Sequence, residues 1–376
     1  MTTPARTERL ASIDVLRTAA IMMMTVVHFA ENLAGSWNAA EGPLIGASRY
    51  WWLPTGIAAP MFTFLAGVSY RLWADAQRTA GRSEQALSKI TVRRGLFLIL
   101  FGLVFNVVVW LPEDVFNWDV LTLVGVAMLA LDLARRAPAV LPACSCVLIV
   151  AVAPALRAAA DYAAFWEQGF YDYDFTIADI VLGCLVTGYF PLFPWLALPL
   201  AGFVATPSLY GRAGGGPSRL AWLAGGLLIA TAAAMIAVRP FVPTAFHGSG
   251  RAWSMFPATT AYVLGMAGAV LLLASVLHRV IDVPGRSGPI LRLAGAMSRH
   301  SLSLYVLHHV AHVWPLWVAG AVAAGETTAL WQVAMPVGTA VAWATAFLVV
   351  AAWLARRMDG PGAPSLERLL RWLCEP

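Results

Sequence analysis

Charge is what this sequence has least of. Only 12% of its 376 residues are Asp, Glu, Lys or Arg, about half the share of a typical soluble protein. Hydrophobic residues make up 60%, and mean hydropathy is +0.71. That imbalance excludes a soluble globular domain and intrinsic disorder. Cysteine is scarce too. Four in the whole chain are too few for a disulfide scaffold, and Cys144, Cys146, Cys184 and Cys374 lack metal-like spacing. Glycine shows no triplet period, so collagen is excluded, and no long polar stretch suggests an appended soluble domain. The net charge of +5 would point to nucleic acid only if the basic residues shared one soluble face. They fall instead at intervals between apolar segments, which marks them as topology signals.

Apolar length is what the sequence does have. Windows near twenty residues, enough to cross about 30 Å of hydrocarbon, fall at 12–33, 54–73, 91–111, 118–134, 139–158, 176–209, 219–238, 258–278, 296–318 and 329–355. The fifth holds Pro142 and Pro154, and the sixth is too long for one straight span and is broken by prolines. The expectation is one all-α integral-membrane domain over 1–376. It is a polytopic bundle of about ten transmembrane helices, eleven if the sixth segment crosses twice, with both termini cytoplasmic. With the N-terminus inside, 20 of the 25 basic residues collect on inner loops, including Arg9, Arg93, Arg94, Arg135, Arg286, Arg292, Arg299 and Arg356. A wrong span count would invert the downstream loops and destroy this asymmetry. The outer loops lean acidic, with Glu113, Asp114, Asp161 and Asp174, and suit a polar or sugar-like acceptor. The first window is too long for a signal-peptide core and reads as helix one. Residues Ala74–Ile90 read as a polar inner loop around Gly81, and 212–218 as a Gly-rich linker. No inverted repeat is visible, and the composition leaves a homo-oligomer open.

Ionisable groups inside a span are costly and usually face the bundle interior, which makes them candidates for function. Helix one carries Asp14, Arg17, His28 and Glu31. At about 100° per residue, Arg17, His28 and Glu31 lie about 60°, 40° and 100° from Asp14, all to one side. Asp14 and Arg17 most simply form an i,i+3 ion pair, with contact to a phosphate-bearing donor as the alternative. His28, near the outer end and one turn from Glu31, is a candidate general base. A second stripe runs through Ser298–His312, where Ser301, Tyr305, His308 and His312 share a face. Two stripes imply a polar cavity. His308 and His312 at i,i+4 have zinc-like spacing, but no third ligand or carboxylate accompanies them locally, so no metal is expected. In Tyr189–Trp195, two prolines three apart interrupt a helix, which is tolerated at membrane depth where the freed carbonyls are buried in protein. Asp179 opens that segment. Residues 246–257, rich in aromatic and polar groups, read as a sugar-binding outer loop, although 16 tryptophans fit interfacial belts equally well.

These motifs carry a resemblance. Arg9-Leu-Ala-Ser-Ile-Asp-Val-Leu-Arg17 followed by an apolar run to His28-Phe29 resembles the opening of the heparan-alpha-glucosaminide N-acetyltransferase catalytic-domain family and its bacterial relatives. Ala59–Ser69 with Arg93-Arg94 after it looks like that family's second motif, and Phe190-Pro-Leu-Phe-Pro-Trp195 is similar to its proline-tryptophan segment. Phe256-Pro257 and Ser301–Tyr305 fit weaker positions. The wider group includes the acyltransferase-3 proteins, with an Asp and Arg near the start and a histidine at the outer end of helix one. The lysosomal enzyme's histidine lies beyond helix one, whereas residues 29–53 here hold none, so His28 matches the acyltransferase-3 placement.

The resemblance implies a membrane-embedded enzyme of the bacterial inner membrane. It would move an acetyl or other acyl group from cytoplasmic acyl-CoA to an extracytoplasmic sugar amine or hydroxyl. His28, Glu31 and His308 are then the expected catalytic residues, with His28 acting as a base or carrying the acyl group. Ser301, Tyr305 or His308 would donate to the oxyanion. Arg17, Arg93 and Arg94 would hold the donor's phosphates. Asp14, Asp179, Trp195, Tyr305 and His312 would line the substrate path. The rival expectation is a polytopic transporter of a small polar or sugar-like solute, because a broken helix beside two polar stripes also describes a pathway.

Overall fold

The computed structural model describes residues 9–34, 56–167, 170–211, 215–241, 251–360 and 362–375. Among them, eight helices are long and apolar enough to cross a membrane. The protein is an all-α polytopic membrane protein, and the one sheet among the described residues is a two-stranded hairpin of β1 (Trp166–Glu167) and β2 (Phe170–Tyr171).

The helices are α1 (Ala11–Leu33), α2 (Ala58–Thr79), α3 (Glu84–Val109), α4 (Val120–Ala134) and α5 (Val140–Ala159). A broken segment follows, of α6 (Ile177–Leu182), a π turn, α7 (Leu192–Trp195) and α8 (Ala197–Tyr210). Then come α9 (Arg219–Val238), α10 (Thr260–Leu277), α11 (Pro289–Arg299), α12 (Ser301–Ala324), α13 (Val337–Met358) and α14 (Leu366–Cys374). Each of the ten sequence windows holds one of these helices or composites.

Three boundaries differ from the sequence reading. The expected inner loop Ala74–Ile90 is mostly helix, because Arg71–Asp75 at i,i+4 supports the end of α2 and the Ser83 hydroxyl caps the start of α3. Only four residues turn between them, with Gly81 at φ +82°. The expected ninth span breaks at His300, whose imidazole is held by Asp359 at 3.1 Å. Residues 289–299 therefore form a separate amphipathic helix. The tenth helix starts at Val337 rather than 329, since Pro336 cannot donate to a preceding turn. Residues before it fold over the C-terminal end of α1, where Gln332 and Met335 donate to the Asn32 and Leu33 carbonyls.

The break in the sixth segment is as expected. The amides of Tyr189 and Phe190, freed there, donate to the carbonyls of Asn117 and Trp118 at 3.1 and 2.9 Å, so these two donors are satisfied within the protein. Close helix crossings rest on glycine. A Cβ on Gly67 would overlap the Pro199 carbonyl oxygen, and one on Gly202 would overlap that of Phe64, so α2 and α8 touch backbone to backbone. α1 sits at the centre, packed against α2, α11, α12 and α13, with 56% of its apolar window buried; Arg219–Phe241 has 17% buried and faces outward.

Candidate functional site

Helix α1 connects two chemically different ends. Its inward face runs Asp14, Thr18, Ile21, Thr25, His28 and Asn32, alternating steps of four and three, the spacing that keeps one stripe toward a neighbouring helix.

At the arginine-rich end, charges are partnered. Asp14 does not pair with Arg17, contrary to the sequence reading. Its carboxylate accepts two 2.6 Å bonds from Arg9, which lies just before the helix and reaches back over its first turn. Arg17 donates instead to Ser298 at 3.0 Å and Ser69 at 2.6 Å, tying α1 to α11 and α2. Thr18 donates to the Ala294 carbonyl at 2.8 Å. Arg94 is occupied by Glu375 and lies 4.8 Å over the Trp73 ring, while Arg93 is exposed on α3. Neither meets Arg17. A further network joins Arg135 to Asp132, Glu84 and Ser88.

At the opposite end, α1 and α12 bring four imidazoles together. His28 is half-buried, and His308, His309 and His312 are buried. Histidines on a helix can bond the carbonyl one turn back, and all three on α12 do so through Nδ1: His308 to Leu304 (3.3 Å), His309 to Tyr305 (3.1 Å) and His312 to His308 (2.6 Å). A carbonyl only accepts, so each Nδ1 carries the proton and each Nε2 keeps a lone pair. His308 Nε2 therefore accepts from His28 Nδ1 at 3.0 Å, and His312 Nε2 accepts from the Asn32 amide at 2.9 Å. The rings of His28 and His308 stack at 5.2 Å between centroids. Tyr305 gives its hydroxyl proton to Asp119 at 3.0 Å, so that proton is committed to the carboxylate rather than to an oxyanion. Asp119 in turn caps α4 through the amides of Leu121 and Thr122.

Aromatic rings cover this cluster. Trp110 contacts His309 and Trp331 at 5.4 and 5.6 Å, and Trp331 meets Trp317 and Phe170. The Trp331 indole N–H is buried without a partner among the described residues. Glu31 makes no hydrogen bond to the described residues and lies within electrostatic reach of Tyr189. It does not touch His28, so the expected orienting contact is absent among the described residues. The Thr25 hydroxyl, one turn below His28, is fully buried and also unpartnered among the described residues.

The structure thus brings together His28, His308, His312 and Tyr305, and leaves three expected substrate residues elsewhere, among them Asp14, which is bonded to Arg9 at the other end of α1. Trp195 is core, packed on Phe190 and Tyr262, and Asp179 sits half-buried on the first turn of α6. The 246–250 part of the expected sugar-binding loop lies outside the described residues. Sequence reasoning assigned no role to His309, Asn32 or Asp119. Asn32 was within reach of it, being in line with Asp14 on α1, whereas nothing local in the sequence joins Asp119 to Tyr305, 186 residues away.

His28, His308 and His309 have ligand atoms within 4.8 Å of one another and could hold a metal ion such as zinc, a different set from the His308–His312 pair suggested by spacing. Here the His28 Nδ1 and His308 Nε2 atoms are spent on each other, and no carboxylate joins them.

Residues 9–235 match the family described as heparan-alpha-glucosaminide N-acetyltransferase, catalytic. No protein of curated function matches the chain by sequence.

Proposed function

The chain belongs to the heparan-alpha-glucosaminide N-acetyltransferase catalytic family, and from that premise we propose that it transfers an acetyl group from a cytoplasmic acyl-CoA to a sugar amine or hydroxyl on the extracytoplasmic side. The family supports a membrane acetyltransferase-like enzyme; the donor, the acceptor and the residue roles are our reading. Its single strongest support is the His28–His308 hydrogen bond. With the His28 proton on Nδ1, the lone pair sits on Nε2, where a neutral imidazole can take a proton near neutral pH.

The acceptor N–H or O–H gives its proton to His28 Nε2 while its nitrogen or oxygen attacks the thioester carbonyl carbon. The tetrahedral oxyanion collapses, the C–S bond breaks, and the departing thiolate recovers the proton from His28. His308 Nε2, holding His28 Nδ1–H, stabilises the imidazolium that forms in between. His308 is a positioning residue in this scheme, and His312 and Asn32 set the ring stack behind it. Glu31 and the unpartnered Trp331 N–H, at the aromatic mouth, would bind and orient the acceptor; stacking rings and a carboxylate suit an amino sugar. No step is routed through a metal, since ligation would consume the same two nitrogens that form the hydrogen bond.

The test is transfer of labelled acetyl from acetyl-CoA to glucosamine in proteoliposomes. Wild-type protein transfers and His28→Ala does not, while both retain the same melting temperature. Equal rates in the two would remove His28 from the chemistry. Uptake of labelled glucosamine without any donor would instead favour transport.

A further inference from the structure

One buried imidazole has no part in the chemistry proposed above. His309 follows His308 on α12, and its Nδ1 is bonded to the Tyr305 carbonyl, which leaves a lone pair on Nε2. Neighbours on a helix project about 100° apart. The His308 and His309 rings nevertheless converge, 3.9 Å apart between centroids, and both face α1, with the His28 ring 5.2 and 4.8 Å away. One ligand atom from each of the three lies within 4.8 Å of the others. Nitrogens around a tetrahedral zinc ion, at about 2.0–2.1 Å from it, are about 3.4 Å from one another. Closing the set therefore takes ring rotations on the order of 1 Å at the nitrogens, with no movement of the helices.

The tautomers on α12 already suit a metal. An imidazole that ligates through one nitrogen usually donates from the other to a carbonyl or carboxylate, which fixes the ring. His308 and His309 do this through Nδ1 to Leu304 and Tyr305 at 3.3 and 3.1 Å. His28 supplies the third lone pair once its proton passes from Nδ1 to Nε2, and it is the half-buried member through which an ion can enter. The set holds neither carboxylate nor thiolate. Imidazole alone suits zinc, copper(II) and nickel(II), whereas magnesium and calcium take oxygen ligands. Three neutral ligands leave the full charge of the ion in a buried place, which favours a reversible occupant over a permanent one.

We propose that His28, His308 and His309 form a three-imidazole site for a divalent transition cation such as zinc, and that filling it switches acetyl transfer off. The binding half stands on geometry alone; the inhibitory half rests on the reading of His28 as general base. A neutral imidazole has a single in-plane lone pair. Whichever His28 nitrogen ligates the ion, the other carries the N–H, so no lone pair remains to take the acceptor's proton. The His28–His308 hydrogen bond is given up in the same step, and no proton or electron leaves the protein.

Zinc binding is measured by calorimetry on the full chain in neutral detergent, purified without a polyhistidine tag, and cobalt(II) absorption reads the coordination geometry. Wild type is compared with His28→Ala, His309→Gln and His312→Gln. The last is the control, because His312 Nε2 is engaged by the Asn32 amide at 2.9 Å and lies outside the set. Wild type should bind one zinc, show the intense visible bands of tetrahedral cobalt and melt at higher temperature with zinc present. His28→Ala and His309→Gln should each weaken zinc about tenfold or more, His312→Gln should bind as wild type does, and magnesium should do nothing. Melting temperatures without metal show which variants fold, and His28→Ala, at the half-buried position, carries the test if His309→Gln does not fold. Absence of one-to-one binding in wild type, or undiminished affinity in a folded His28→Ala or His309→Gln variant, overturns the site. In proteoliposomes, zinc at a saturating concentration should slow acetyl transfer about tenfold or more, a chelator should restore it, and His309→Gln, scaled to its own metal-free rate, should be insensitive. Transfer that persists with zinc bound, or that is lost on chelation, overturns the inhibitory role. Zinc binding in a wild type that transfers no acetyl group even without metal overturns the acetyltransferase reading and leaves the site standing.

Discussion

The two ends of α1 use polar groups in opposite ways. At the arginine-rich end, Asp14, Arg17 and Thr18 spend their hydrogen-bonding capacity on Arg9, Ser298, Ser69 and Ala294, so their work is to lock α1 to α2 and α11. At the histidine end the imidazoles are held so that donors are matched but lone pairs remain. A paired charge in a membrane protein is mostly architecture; an unspent valence held in place by paired ones is where chemistry can occur.

The comparison can be broken most sharply at His28. His28→Ala should lower acetyl transfer by about 10²–10⁴-fold, the usual worth of a general base, with no loss of folded protein. A variant that transfers normally would show that the histidine end is architecture as well. The reverse experiment is Arg135→Ala. Its side chain is fully buried against Asp132, which also holds Arg136, Ser88 and Tyr70, so losing this one partner should cost about 2 kcal/mol, read as a fall in melting temperature, while the KM for the acceptor stays unchanged in the surviving fraction.

A finer cut separates position from packing at His308. His308→Gln keeps an acceptor for His28 Nδ1–H, whereas His308→Ala removes it. The Gln variant should retain kcat within about tenfold of wild type and the Ala variant should fall further, with KM little altered in either. Equal kcat values for the two would mean that the His28–His308 bond does not orient the base. The smallest effect belongs to Asp359. Its hydrogen bond from Arg299 holds the carboxyl below its ordinary value. A depressed acid contributes stability that is present above the unfolded-state value of about 4 and is lost as pH falls through the folded value. The pair is partly exposed, so the contribution is a few tenths of a kcal/mol. Asp359→Asn should therefore lower the melting temperature slightly at pH 7, leave it unchanged below the folded value, and so flatten the acid limb of the profile.

Much of the architecture was legible because hydrocarbon imposes length and apolarity on each span in turn, with no reference to its neighbours. The ten windows, the interruption at Pro191 and Pro194, and the stripe from Asp14 to His28 all follow from local pattern. Boundaries failed where side-chain partners intervened: a long-range one, Asp359 holding His300, splits the ninth segment, and a local one, the Arg71–Asp75 pair, supports α2 past Ala74. The site was legible in its members on α1 and α12 but not in its bonding. Arg9 rather than Arg17 takes Asp14 because its side chain folds back onto a carboxylate that Arg17, turned toward Ser69 and Ser298, does not reach. Spacing paired His308 with His312, yet His308 is turned to His28 and His312 to Asn32.

What the sequence determined by itself is the solvent and the repeat: a hydrophobic chain cut into span-length helices, with polar residues confined to particular faces, because each helix satisfies its own backbone and each polar residue is costly wherever it sits. Only tertiary structure decided which faces meet. Bringing α12 against α1 joins the one histidine of α1 to the row of three on α12 through the His28–His308 hydrogen bond, and setting α11 across the end of α1 gathers arginines 64 residues apart in the chain, Arg292 and Arg356, around one cavity. Such encounters depend on the close crossings that glycine permits and on the turns at His300 and Pro336, which no single helix encodes.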